Sequence, residues 1–180
     1  MPYLNADFFS RDTVEVARDL IGTVLVVGEC HGRIVETEAY TTDDASHAVT
    51  RRNQSLTMQK TFGYVYVYFI YGMYYCLNFT TDRSGPGAVL IRAAEPTFGI
   101  EVMAERRGTR DVHKLASGPG RLCEAFGIDL RFNGNRIGKQ IKLKPRVAES
   151  RVVTSRRVGI TRAVDLEWRF FERDSPFRSR

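Results

Sequence analysis

The chain has 180 residues, 43% of them apolar, enough for one domain with a sizeable buried core, and residues 1–180 read as that single domain. Its net charge of +6 conceals an asymmetry: residues 1–50 carry 3 basic and 9 acidic side chains, residues 51–180 carry 24 and 12. The arginine-rich later part suits phosphate contacts, although a solvated basic surface or an acidic partner would leave the same imprint. No apolar run approaches bilayer-spanning length and no basic-then-apolar leader opens the chain, which argues against a membrane role and predicts an intracellular protein.

In chain order, residues 12–21 have helical spacing, with Asp12 as cap and Gly22 as stop, and their apolar stripe should pack on a sheet. Residues 23–27 read as a strand joined through a turn at 28–31, where His31 falls, to a second strand over 32–40. Residues 64–79 hold six of the eight tyrosines around Gly72. Both halves of that run are β-branched and aromatic, and a glycine between them predicts a hairpin. A turn centred on Gly72 sets Tyr68 opposite Cys76 and Tyr66 opposite Asn78, all on one face, with Tyr71 at or beside the tip. Residues 88–93 read as a strand, 96–107 as a helix, and 106–110 as a basic exit loop able to touch phosphates. Residues 117–122 read as a helix start whose free amides could meet a phosphate or serve only as a cap. Strands are expected at 141–143 and 152–154 and near 168–171.

Candidate chemistry lies in two places. On the strand over 32–40, alternation puts Glu36, Glu38 and Tyr40 on one side. On an edge strand Glu36 would be unremarkable, whereas Glu38, followed by Tyr40, would be partly desolvated with a raised pKa, which suits a general base for water. At the hairpin, stacking faces behind an aromatic tip suit a wedge that enters a base stack and holds one base outside it; a buried aromatic core explains the same composition. Cys30, Cys76 and Cys123 form no Cys-x-x-Cys pair, and His31, His47 and His113 lack ligand spacing, so reduced thiols and no metal are expected. Gly85-Pro86-Gly87 and Gly118-Pro119-Gly120 lack both the dinucleotide fingerprint and a phosphate-loop lysine, so no nucleotide cofactor is implied.

The run from Arg33 to Tyr40, with His47, Tyr66-Val67-Tyr68, Ile70-Tyr71-Gly72-Met73-Tyr74 and Asn78, resembles the alkyladenine (3-methyladenine) DNA glycosylases of bacteria and mammals. Leu90 to Pro96, Ser117 to Leu122, Arg157-Val158-Gly159-Ile160, Trp168-Arg169-Phe170 and Asp174-Ser175-Pro176 continue the likeness in family order over nearly the whole chain. The segment from Thr50 to Gln59 departs from it, since the family usually has a shorter stretch there. The resemblance implies an α+β fold, a curved and mostly antiparallel sheet with peripheral helices and a projecting tyrosine hairpin. It also implies that Glu38 activates the attacking water with help from Arg92, and that Tyr40, His47 and Tyr68 wall the pocket. Asn78 would obstruct the exocyclic amino group of guanine, and Tyr71 would fill the vacated stack. The expected activity is hydrolysis of the N-glycosidic bond of alkylated or deaminated purines in double-stranded DNA, by a monomer without cofactor, in cytoplasm or nucleoid of a bacterium or the nucleus of a eukaryote. Two other readings share the hairpin: a non-catalytic lesion sensor, which has no use for Glu38 with Arg92, and a single-strand RNA binder, which needs no wedge.

Overall fold

The computed structural model describes residues 2–179. A short helix, α1 (Ala6–Phe9), precedes α2 (Thr13–Asp19), whose first turn is held by Asp12 accepting hydrogen bonds from the Val14 and Glu15 amides. The helix ends at Asp19, earlier than its apolar pattern suggests, because Leu20 and Ile21 are buried in the turn that Gly22 completes at φ +87°. Strands β1 (Val24–Val27) and β2 (Cys30–Tyr40) form a hairpin with only Gly28 and Glu29 between the paired Val27 and Cys30. His31 is therefore a strand residue opposite Val26, not a turn residue.

The departing segment begins at the last residue of α3 (His47–Thr50) and runs into α4 (Leu56–Lys60), which is followed by the hairpin of β3 (Val65–Ile70) and β4 (Tyr74–Thr80). Its register pairs Tyr66 with Asn78 and Tyr68 with Cys76, as the position of Gly72 requires. β5 (Ala88–Phe98) runs five residues past the predicted strand, so Pro96, Thr97 and Phe98 are extended rather than helical. Pro96 cannot donate to a ladder and sits where the β2 register shifts at Gly32. Gly99 at φ +73° then turns the chain, and α5 (Ile100–Arg107) starts only there. The misleading signal was Phe98, whose spacing to Val102 looked helical although its ring is 59% exposed. α6 (Val112–Leu115), α7 (Pro119–Phe126), β6 (Ile141–Lys144), β7 (Val152–Ser155) and β8 (Arg169–Glu172) complete the chain.

All strand pairings are antiparallel, in the order β3-β4-β5-β2-β1-β6, with β8 beside β2 and β7 beside β8. The α+β expectation holds as one open antiparallel sheet with seven α-helices among the described residues. Phe9, Leu20, Ile34, Phe79, Ile91, Met103 and Phe126 are fully or almost fully buried in a continuous apolar cluster. Each such side chain contributes about 1.5–3 kcal/mol, which anchors helix to sheet. No helix among the described residues is long and apolar enough to cross a membrane.

What matters most for the site is the place of β2. It pairs with β5 along one edge and with β1 and then β8 along the other, so it is central and Glu36 is no edge residue. Thr37 Oγ1 donates to the Ala17 carbonyl at 2.8 Å, which turns Thr37 toward α2 and leaves Glu36, Glu38 and Tyr40 on the opposite side.

Candidate active site

Two irregularities lie face to face in the β2–β5 ladder. Ile34 pairs with Ala94 and Glu36 with Ala93, so Val35 has no partner on β5; Thr37 then pairs with Ile91, so Arg92 has none on β2. Bulges of this kind bend a strand and re-aim its side chains. Here Arg92 is brought over both acids, with Nε 3.0 Å from Glu36 Oε1 and an outer nitrogen 3.4 Å from Glu38 Oε2.

Glu38 is fully buried. Its Oε1 accepts from the Val158 amide at 2.7 Å, and its Oε2 accepts from the Tyr40 hydroxyl at 2.8 Å. Burial pushes the carboxyl above its ordinary value of 4.5, against the pull of Arg92 and of these hydrogen bonds. Tyr40 moves the same way, through burial and the Glu38 charge, and keeps its proton. For Arg92, burial works against the charged form, but Glu38 and Glu36 outweigh it, so the guanidinium stays charged.

A cleft of about 680 Å³ opens above this layer, lined by Tyr40, His47, Tyr66, Tyr68, Asn78 and Arg92, with Tyr71 at its rim. The structure thus brings every predicted site residue except Glu38 to one cavity wall. Glu38 lies immediately beneath, and each of its three polar partners, Tyr40, Arg92 and Val158, lines the cleft. The His47 and Tyr68 rings meet at 4.4 Å and 63°, and His47 Nδ1 lies 2.9 Å from the Tyr66 hydroxyl. Burial, with Arg51 nearby, pulls His47 down to about 4, so its ring is neutral at physiological pH. Burial also holds the Tyr66 proton, up to about 12, and the Cys76 thiol, up to about 11. Asn78 directs its amide nitrogen at the Tyr66 and Cys76 carbonyls, 3.2 and 3.4 Å away, which locks the carboxamide plane against the cleft.

The hairpin changes character toward its tip. Tyr71 and Gly72 both have positive φ, +54° and +66°, and the Met73 amide closes the turn on the Ile70 carbonyl at 3.3 Å. For glycine that conformation is free, whereas for tyrosine it stores about 1–3 kcal/mol of strain. The strained residue is 79% exposed, beside the exposed side chains of Met73, Phe69 and Tyr74.

Several participants were not legible as site residues. Arg157 is buried with its guanidinium 4.6 Å above the Tyr40 ring, and it donates to the Ala39 carbonyl and to Asp43 at 2.9 and 2.7 Å. It thereby fixes the loop that delivers the Val158 amide to Glu38; the Arg-Val-Gly-Ile motif marked the place without revealing the contact. Gly120 is a second case: a Cβ there would come within 2.8 Å of the Tyr74 ring, so glycine allows α7 to press against the hairpin. By contrast Arg106 and Arg107, in the loop read as able to touch phosphates, bond internally, Arg106 to the Ala125 carbonyl and Arg107 to the Leu115 carbonyl and Glu124. A neighbouring cleft of about 810 Å³, lined by Lys114, Arg121 and Arg178, is the basic surface that adjoins the site, sharing Tyr74, Arg92, Pro119 and Gly120 with it. Among the described residues, no three His, Cys, Asp or Glu side chains cluster to hold a metal ion.

The family model described as Methylpurine-DNA glycosylase (MPG) matches residues 7–176. A protein of Nitrosospira multiformis, named "Putative 3-methyladenine DNA glycosylase", is 48% identical, covering 96% of this chain and 91% of its own length. A protein of Methanoculleus marisnigri with the same name is 44% identical over 98% of both chains, and one of Rhizobium etli is 46% identical over 96% of this chain and 87% of its own. With most of its length matched and identity this high, the chain belongs to the methylpurine-DNA glycosylase family.

Proposed function

We propose that this protein is a monofunctional DNA glycosylase that turns an alkylated or deaminated purine out of duplex DNA and hydrolyses its N-glycosidic bond, leaving a free base and an abasic site. The observation that carries this reading is the stacking of three layers: an exposed, strained Tyr71, an aromatic cleft beneath it, and a buried carboxylate whose polar partners all line that cleft. Tyr71 replaces the departing base in the stack, an exchange on the scale of a few kcal/mol. The displaced purine lies against Tyr40, Tyr68 and His47, whose faces favour a base made cationic by alkylation at a ring nitrogen. A neutral His47 does not oppose that charge, and the ring nitrogen left free by Tyr66 is available to the base edge. Asn78, its amide nitrogen held by the Tyr66 and Cys76 carbonyls, obstructs the exocyclic amino group of guanine.

As the bond breaks, its electron pair leaves with the base, and C1′ gains oxocarbenium character. Glu38 steadies that charge and takes the proton of the water that bonds to C1′, with Arg92 helping to place the water. A carboxylate oxygen readily accepts more than one hydrogen bond, and Glu38 Oε1 accepts only that of Val158, so it keeps acceptor capacity for the water. The raised proton affinity of Glu38 makes it a stronger base than a surface glutamate. The adjoining basic cleft accommodates the flanking phosphates.

The test is release of free base from duplex DNA carrying alkylated purines, measured chromatographically with the purified protein. Stoichiometric excess of freed base over enzyme is expected. Lesion binding without any base release would replace the enzyme by the non-catalytic sensor.

A further inference from the structure

Glu36 has no part in the chemistry above, yet it is fully buried and more heavily bonded than Glu38. Its Oε1 accepts from Arg92 Nε at 3.0 Å, Arg169 Nε at 2.7 Å and Ser179 Oγ at 2.8 Å, and its Oε2 accepts from the Ser179 amide at 2.6 Å. Ser179 Oγ also accepts from a terminal nitrogen of Arg92 at 3.2 Å. The segment carrying Ser179 is itself fastened, with Phe177 stacked on His113 at 4.8 Å and Arg178 over the Phe171 ring at 4.7 Å. Two of the three nitrogens of Arg92 are therefore held by Glu36 and Ser179. A guanidinium is planar and rigid, so fixing two nitrogens aims the third, which is the one 3.4 Å from Glu38.

Resting on the reading of Glu38 as the base, we propose that Glu36 and Ser179 are positioning residues: they clamp Arg92 so that it faces Glu38, and the Glu36 carboxylate withholds part of the Arg92 charge from Glu38. The groups facing Glu38 are Tyr40, Arg92, the Val158 amide and Glu36, with Cys76 nearby; those facing Glu36 are Arg92, Arg169 and Ser179. With Tyr40 and Cys76 protonated, Glu36 is the only other negative charge in that set. Glutamine at this position keeps an oxygen to accept from Arg92, so neutralising Glu36 removes a like charge from Glu38 and a rival for the Arg92 charge, and both changes make Glu38 release its proton at lower pH.

The experiment compares wild type with Glu36→Gln, Ser179→Ala and Ser179→Thr. The Glu38 carboxyl is titrated by carbon-13 NMR in the free protein, and single-turnover base release is followed against pH and enzyme concentration. In Glu36→Gln the Glu38 titration and the acid limb of the rate profile move together to lower pH. The maximal rate falls about 10- to 100-fold, the weight of one charge-assisted hydrogen bond, while half-saturation changes less than about twofold. Ser179→Ala slows release with unchanged half-saturation, and Ser179→Thr, which keeps the hydroxyl, restores it. An unmoved Glu38 titration in Glu36→Gln overturns the proposal, as does a Ser179→Ala variant as fast as wild type or no faster when replaced by threonine. If Glu36→Gln does not fold, the two Ser179 variants decide between the same outcomes. If wild type frees no base while the Glu38 titration shifts as stated, the clamp stands and the glycosylase reading falls.

Discussion

The floor of the cleft and the tip of the hairpin are built on opposite terms. At the floor, Glu38 and Glu36 are sealed from solvent, both carboxylates accept several hydrogen bonds, and electrostatic tension is held by a central strand paired on both edges. At the tip, Tyr71 is 79% exposed and strained in φ, in a turn closed by the Met73 amide on the Ile70 carbonyl. Tyr66, five residues away on the same hairpin, is 3% exposed. One element thus carries a rigid pocket wall at its root and an uncovered apolar wedge at its end. On the proposed function the difference assigns opening the base stack and breaking the bond to separate groups, so each should be removable without the other.

The largest effect should come at the floor. Glu38→Gln keeps the shape and loses the base, so excision should fall about 10²- to 10⁴-fold while lesion affinity is retained, as read from single-turnover rates beside equilibrium binding. Wild-type excision by that variant would remove Glu38 from the mechanism. Because the folded carboxyl binds its proton more tightly than the unfolded chain does, its contribution to stability is present at acid pH and is lost as pH rises through the raised value. Glu38→Gln should therefore unfold at an equal or higher temperature than wild type at neutral pH, with the gap closing toward acid pH. Activity runs the other way, requiring the ionised base: excision should decline as pH falls, with an acid limb above the ordinary 4.5 of a glutamate. A limb at or below that value would place the base in a solvated setting that the floor does not provide.

A smaller loss belongs to the tip. Tyr71→Ala gives up stacking worth about 1–3 kcal/mol, so lesion affinity should fall about 5- to 150-fold while the rate from the seated base changes little. Tyr71→Phe keeps the plate and should bind as wild type does. Between the two regions, Asn78→Ser should admit guanine several-fold more readily, within about 1–3 kcal/mol, and unchanged discrimination between hypoxanthine and guanine would take Asn78 out of selectivity. The smallest effect expected is none: chelators should leave the rate intact, and borohydride should trap no covalent complex, because the proposed mechanism uses water and not an amine as nucleophile. A trapped adduct would reveal a nucleophile other than water.

The hairpin register was legible because side-chain alternation and one glycine determine it, and α2 because Asp12 can cap only the turn that follows it. The end of β5 was not, since Phe98, Ile100, Val102 and Met103 have the same spacing whether or not Gly99 turns the chain between them. At the site, Glu38 and Tyr40 could be assigned to one face from period-two alternation alone. The paired bulges at Val35 and Arg92 could not, because a bulge depends on two strands distant in the chain agreeing on register. Nor could the hold of Arg157 on Asp43 or of Ser179 on Glu36, contacts more than a hundred residues apart in the chain. Arg106 and Arg107 illustrate the reverse, as charge in a loop says nothing of whether a carbonyl lies within reach.

The division between floor and tip is tested most directly by the fluorescence of an ethenoadenine placed in duplex DNA, which reports whether the base is stacked or turned out. Glu38→Gln should turn the base out as fully as wild type does and then hold it, whereas Tyr71→Ala should leave it largely stacked. If alanine at position 71 turns the base out as completely as tyrosine, the wedge is wrong and the tyrosines return to being a structural core.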